Sequence, residues 1–248
     1  GGSAVSASTV PRKRLRVALQ RVVEQMSSKY NMSIAAAFFS REAEVSVAAG
    51  HTDSGLGMGS PKRWALADDI YVWGSTTKMF TAPAVFQLVE EGLVSLDDPI
   101  AMHVDPILSE LNGTRLVDHF GEGIDAVRVK HLLHMTSGIS DYDGEQFSKD
   151  QFADRSKAFG PVEIIGRYVS PSFKFAPGAR QDYCSTNYIL LGLLLARHHH
   201  RHGTPWSWQA YDQLSVIPSP LRGSFSRSEF VNLGPCDNYT PVHGFMDS

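Results

Sequence analysis

The sequence predicts an α/β fold: an antiparallel hairpin with a flanking helix, followed by a long and mostly helical stretch. Three observations carry this. Leu15, Leu19, Val22, Val23 and Met26 recur at helical spacing and make one apolar stripe. Ser33 to Phe39 and Glu44 to Ala49 read as two strands, joined by the short polar break Ser40-Arg41-Glu42. From residue 75 to about residue 210, apolar runs of helical length alternate with loops, and no repeat is evident.

In chain order, residues 1–11 are small and polar and are expected to be a disordered tail. The helical stripe and the hairpin follow. Gly50 to Pro61 is a glycine-rich loop, and Ala65 to Val72 leads into a second helical region. Thr81 to Val89 is a mostly apolar helical run that ends at Glu90-Glu91-Gly92, and Leu93 to Ile100 reads as its exit loop. Pro83 lies too deep for a first turn; it removes a donor and crowds the carbonyl of Met79, so a kink or local adjustment is expected. The longest apolar run, Tyr188 to Ala196, fits a buried helix and is far short of the ~20 residues needed to span a membrane.

The 248 residues suffice for one large domain or two small ones, and 42% hydrophobic with 20% charged residues is ordinary for a globular protein. A net charge of −3 without a basic face gives no reason to expect nucleic acid. Cys184 and Cys236 are too few for a disulfide framework and are read as two unpaired thiols. The chain begins Gly-Gly-Ser, so it is read as processed, tagged or excerpted. Sequons at Asn31, Asn112 and Asn238 hint at a secretory route and leave the compartment open.

The most informative residues are Ser75-Thr76-Thr77-Lys78, at the junction of an apolar extended run and a helical run. Spacing of i,i+3 puts Ser75 and Lys78 on one helix face. Serine needs an adjacent base to become a nucleophile. A lysine can serve if desolvation or a nearby positive charge lowers its pKa, and the positive end of a helix dipole acts in that direction on both groups. S-x-x-K occurs once in this chain, and Gly74 frees the backbone just before the serine. An N-capping serine followed by a surface lysine is the structural alternative.

Three further segments accompany it: Val127-Arg128-Val129-Lys130-His131-Leu132-Leu133-His134-Met135-Thr136-Ser137-Gly138-Ile139, Phe175-Ala176-Pro177-Gly178, and Tyr183-Cys184-Ser185-Thr186-Asn187-Tyr188-Ile189-Leu190-Leu191-Gly192. Together the four blocks, over roughly residues 65 to 195, resemble the serine β-lactamase and penicillin-binding-protein superfamily, closest to its esterase, D-aminopeptidase and class C-like branch. The resemblance implies a β-lactamase-like antiparallel sheet with flanking helices plus a mostly helical subdomain. It divides residues 12–248 into an α/β part (12–64), a helical subdomain (65–214) and the start of a return to the α/β part (215–248), with the site between the two parts.

The resemblance also implies roles. Ser75 is the nucleophile, and Lys78 and Tyr183 take its proton. Ser185 is the substrate-binding position, where the family usually has asparagine; asparagine offers both a donor and an acceptor to a substrate amide, and a serine hydroxyl has less reach. Asn187 is expected to start the next helix and not to substitute, and Cys184 to pack. The reaction implied is acyl-enzyme formation on an ester, a D-amino-acid peptide or a β-lactam, with esters preferred. No metal or organic cofactor is implied; the partner is a small-molecule or peptide substrate.

Histidines offer other readings. His198 and His202 stand at ligand spacing i,i+4, but no carboxylate or cysteine completes the set nearby, and a polar helix end is the better reading. His131 and His134 are read as structural. His243-Gly244 lacks the intervening residue of the family's third motif and is not taken as that motif. Without that motif the sheet is expected to be incomplete and residues 1–248 to be an inactive, C-terminally truncated member; a non-catalytic family member kept for binding is the alternative.

Overall fold

The computed structural model describes residues 12–52, 63–154, 157–199, 207–226 and 228. The chain divides into two units, one ending at Val72 and the other beginning at Trp73. The predicted tail at residues 1–11, most of the glycine-rich loop, Cys236, His202, Asn238 and His243-Gly244 lie outside the described residues.

In the first unit, α1 (Arg12–Tyr30) packs on a two-stranded antiparallel sheet of β1 (Ile34–Phe39) and β2 (Glu44–Ala49). The register runs from Ile34 opposite Ala49 to Phe39 opposite Glu44. Alternation on β2 sends Val45, Val47 and Ala49 inward, where they meet Val23 of α1. The connection is one residue longer than its polar break suggests. Ser40 N–H donates to the Ala43 carbonyl at 2.8 Å, and the Ser40 hydroxyl accepts from the backbone N–H of Glu42 and Ala43. Val22 and Met26 of the predicted stripe are exposed. A helix lying on a narrow sheet buries one i,i+4 row, here Leu15, Leu19, Val23 and Ser27, and Val22 and Met26 fall beside it.

The second unit is helical: α2 (Lys78–Glu90), α3 (Ile100–Asn112), α4 (Leu116–Phe120), α5 (Val129–Leu133), α6 (Glu145–Ala153), α7 (Pro161–Tyr168) and α8 (Thr186–His198). Its axis is α8, whose Leu190, Leu191, Leu193, Leu194 and Leu195 are all buried and which packs against α2, α3 and α5. α2 continues through Pro83. α3 likewise contains Pro106, which takes the intrahelical donor from the Met102 carbonyl. The Arg197 guanidinium, reaching across from α8, donates to that carbonyl instead.

Tyr183 is positioned by a loop stitched to another loop. Met135 accepts from Asp182 N–H at 2.9 Å, Thr136 from Gly178 N–H at 2.8 Å, and Gly138 from Lys174 N–H at 2.7 Å, all through backbone carbonyls. Beneath them, the buried Ser137 hydroxyl donates to Asn187 Oδ1 at 2.6 Å. Thr186 Oγ1 donates to the Ser140 carbonyl at 2.9 Å and accepts from Tyr142 N–H at 3.0 Å. This polar lattice clamps the first turn of α8 to residues 135–142. Gly138 makes the approach possible: its φ is +78°, and a Cβ there would stand 2.0 Å from the Phe175 carbonyl oxygen.

Gly138→Ala should therefore destabilise the protein by about 3 kcal/mol, through both backbone strain and the clash. Gly113→Ala, also at positive φ but facing open space, should cost only about 1 kcal/mol. Urea unfolding midpoints of the two variants against the parent test the difference.

Candidate active site

Trp73 precedes a tight 3-10 turn, Gly74–Thr77, that runs directly into α2, so Ser75 sits in the first helical turn and Lys78 opens the α-helix. The left-handed φ of +52° at Gly74 re-aims the chain into that turn. Lys78 Nζ donates to Ser75 Oγ at 3.1 Å. On the other side, Ser75 Oγ and the Tyr183 hydroxyl are 2.6 Å apart. All three side chains belong to the helical unit. The Ser75 and Tyr183 side chains are open to solvent, Tyr183 being 53% exposed.

Lys78 also stands near two aromatic rings, 5.1 Å from the Tyr183 centroid and 5.5 Å from that of Tyr188. Partial burial pushes the Tyr183 phenol up. Hydrogen bonds from Lys78, Ser75 and Ser185, with the lysine charge, outweigh it and hold the phenol below its ordinary value. A hydroxyl flanked by a lysine and an acidified phenol can lose its proton once one of the two has given up its own, to the tyrosine's phenolate beside the ammonium or to the lysine's free amine, which is the arrangement an activated serine needs.

The other sequence candidates fall as follows. Ser185 lies just before α8, makes no capping bond to that helix, and turns to the Tyr183 hydroxyl. Asn187 is the second residue of α8, with its amide committed to Ser137 and the Met135 sulfur, so it does not replace Ser185. Cys184 is buried in the core, and that burial pushes its thiol up. His131 is structural: its Nδ1 accepts the Arg128 N–H at 3.1 Å.

His198 closes α8, as its sequence context suggests, and its side chain turns to partners of its own. Its Nε2 lies 3.1 Å from Nδ1 of the buried His103, whose Nε2 lies 2.9 Å from Asp98 Oδ2. With Asp98 ionised, the consistent proton arrangement has His103 donating to the carboxylate and neutral His198 donating to His103. Among the described residues no cluster of three or more His, Cys, Asp or Glu could hold a metal, and no helix is long and apolar enough to cross a membrane. Sequence reasoning missed Tyr188 and the Asp98–His103–His198 chain. Nothing in a spacing of five residues flags Tyr188, and the histidine chain joins residues 95 apart.

The beta-lactamase family model matches residues 19–214. The chain belongs to the beta-lactamase family. The family and the similar solved structures are hydrolases, and their helix-rich α/β fold is the one observed here. A stretch of 125 residues is 27% identical to Protein flp of Staphylococcus aureus (strain MRSA252), covering 50% of this chain and 22% of flp. Among solved structures, a D-stereospecific amidohydrolase from Streptomyces sp. is 25% identical with a TM-score of 0.58, over 84% of this chain and 54% of that one. A class C beta-lactamase, 16% identical with a TM-score of 0.58 over 88% of this chain and 52% of its own, shares the fold. The chain thus spans about half the length of these two structures.

Two outcomes follow from the geometry. Lys78→Met removes a hydrogen bond and a charge from Tyr183, so the phenol should titrate at higher pH, back toward its ordinary value; ultraviolet difference titration measures this. The His198 imidazole is pushed down from 6.5 to about 4, first by burial and then by the neighbouring His103, Arg197 and His199, with Asp98 opposing. The unfolded chain therefore binds this proton more readily than the folded one between those values. Stability should fall as pH drops from 6.5 toward about 4, and the fall should be shallower in His198→Gln, as measured by urea midpoints across that window.

Proposed function

We propose that this protein is a serine hydrolase acting through an acyl-enzyme, with Ser75 as nucleophile, Lys78 and Tyr183 as its proton acceptors, and Ser185 beside the acyl substrate. The observation that carries the reading is the double engagement of Ser75 Oγ, by Lys78 at 3.1 Å and by Tyr183 at 2.6 Å. Attack forms the bond from Oγ to the substrate carbonyl carbon, and the serine proton passes to the Tyr183–Lys78 pair in the form that has already lost one proton, which the lowered Tyr183 phenol favours. The tetrahedral oxyanion is received by backbone donors, the Ser75 N–H among them. Collapse expels the leaving group, which takes the proton, and water then releases the acyl group.

The preferred substrate is an ester, ahead of a β-lactam, because Ser185 cannot hold a substrate amide as an asparagine would. Similarity to a D-stereospecific amidohydrolase supports acyl groups derived from D-amino acids. A second reading, a non-catalytic family member kept for binding or an inactive fragment lacking the third motif, predicts an unreactive Ser75.

A fluorescent fluorophosphonate reads the attack of Ser75 alone and does not require turnover. One label should appear, be lost in Ser75→Ala, and fall nearly as far in Lys78→Ala, since residues acting as a unit are not additive. Short D-amino-acid p-nitrophenyl esters should protect against the label better than penicillins. Labelling that survives Ser75→Ala would overturn the nucleophile, and stronger protection by penicillins would overturn the substrate order.

A further inference from the structure

Lys78 has two aromatic neighbours, and only one of them belongs to the reacting set proposed above. The Tyr188 ring lies 5.5 Å from Nζ, inside the distance of about 6 Å over which a ring face attracts an ammonium. An ammonium on a flexible four-carbon stem has many positions open to it. Among the described residues it meets Ser75 Oγ at 3.1 Å, the Tyr183 phenol, and two ring faces, the Tyr183 centroid lying 5.1 Å away.

Tyr188 is well placed to fix such a group. It is half-buried and packs against the core. It stands on the first turn of α8, directly after Thr186 and Asn187, whose side chains are bonded to Ser140 and Ser137. Its backbone is therefore anchored on the N-terminal side by hydrogen bonds and on the C-terminal side by the leucines of α8. Burial and then the neighbouring Tyr183 push its phenol up, so it stays neutral and does not compete for the serine proton.

We propose that Tyr188 is a positioning residue, whose ring holds the Lys78 ammonium against Ser75 and Tyr183 by a cation–π contact. The inference rests on the reading of those three side chains as the reacting set. It assigns the role to the ring and not to the hydroxyl. It also explains why a lysine at the mouth of an open site stays on the serine.

Tyr183 reports where the ammonium is, because Lys78 lowers its phenol by hydrogen bond and charge. The experiment titrates Tyr183 by NMR in the full chain carrying labelled tyrosine, in the parent, Lys78→Met, Tyr188→Phe, Tyr188→Leu and Tyr188→Met. Fluorophosphonate labelling rates are measured against pH in the same samples. Tyr188→Phe should restore the parent titration and rate. Tyr188→Leu and Tyr188→Met should move Tyr183 upward, part of the way to Lys78→Met, and slow labelling about three- to tenfold at neutral pH, the loss shrinking as pH rises. The methionine variant keeps side-chain bulk, so a leucine variant that fails to fold does not decide the matter. An unmoved Tyr183 in the aliphatic variants would overturn the proposal, as would an equal shift in Tyr188→Phe. If no sample takes label yet Tyr183 follows the expected pattern, the placement of Lys78 stands and the hydrolase reading falls.

Discussion

A buried hydrogen bond, Ser137 Oγ to Asn187 Oδ1 at 2.6 Å, is the constraint on which the arrangement of this chain depends. Both residues are closed to water, so water cannot take over the bond, and breaking it leaves the Ser137 hydroxyl proton and Asn187 Oδ1 unmet in the core. The bond fixes the start of α8 relative to the loop after α5. From that junction the backbone bonds to Met135, Thr136 and Gly138 run outward and set the path of residues 174–182. Tyr183 is the next residue, and its direction follows from a lattice that contains none of the reacting atoms.

Ser75 and Lys78 depend on the lattice less. Their relation is local, set by one helical turn, and would survive considerable change elsewhere. Tyr183 is 108 residues away from Ser75 in sequence and meets it only because the loop lattice and α8 deliver it. The site thus combines a pair guaranteed by helix geometry with a third member guaranteed by tertiary hydrogen bonding. Disturbance of the core is expected to act on the second far more than on the first.

The same distinction explains what could be read from the sequence. The hairpin, the apolar helix over Tyr188 to Ala196 and the S-x-x-K pair are periodic or local, so residue order encodes them directly. Tyr183 was legible only through resemblance of its whole block to known family members. Val22 and Met26 were misread because helical spacing says which residues share a face and not how wide a surface that face will meet. His198 was legible as a polar helix end, but its contacts were not, because His103 and Asp98 arrive from another helix and the loop before it. Tyr188 was passed over because an aromatic residue in an apolar block reads as core, and the ring does in fact pack there while also facing Lys78.

Pro106 and Arg197 show how one such long-range match shapes what substitutions the fold accepts. With proline in place, the Met102 carbonyl has lost its helical donor and relies on the guanidinium from α8. Replacing the proline first merely returns a donor to that carbonyl and leaves the arginine as a spare partner. Replacing the arginine first leaves an acceptor with no protein donor beside a proline that cannot supply one. The two changes are therefore not equivalent in order: one order returns a protein donor to the carbonyl before the arginine is lost, and the other gives up an exposed hydrogen bond and leaves the carbonyl to water until the proline is replaced.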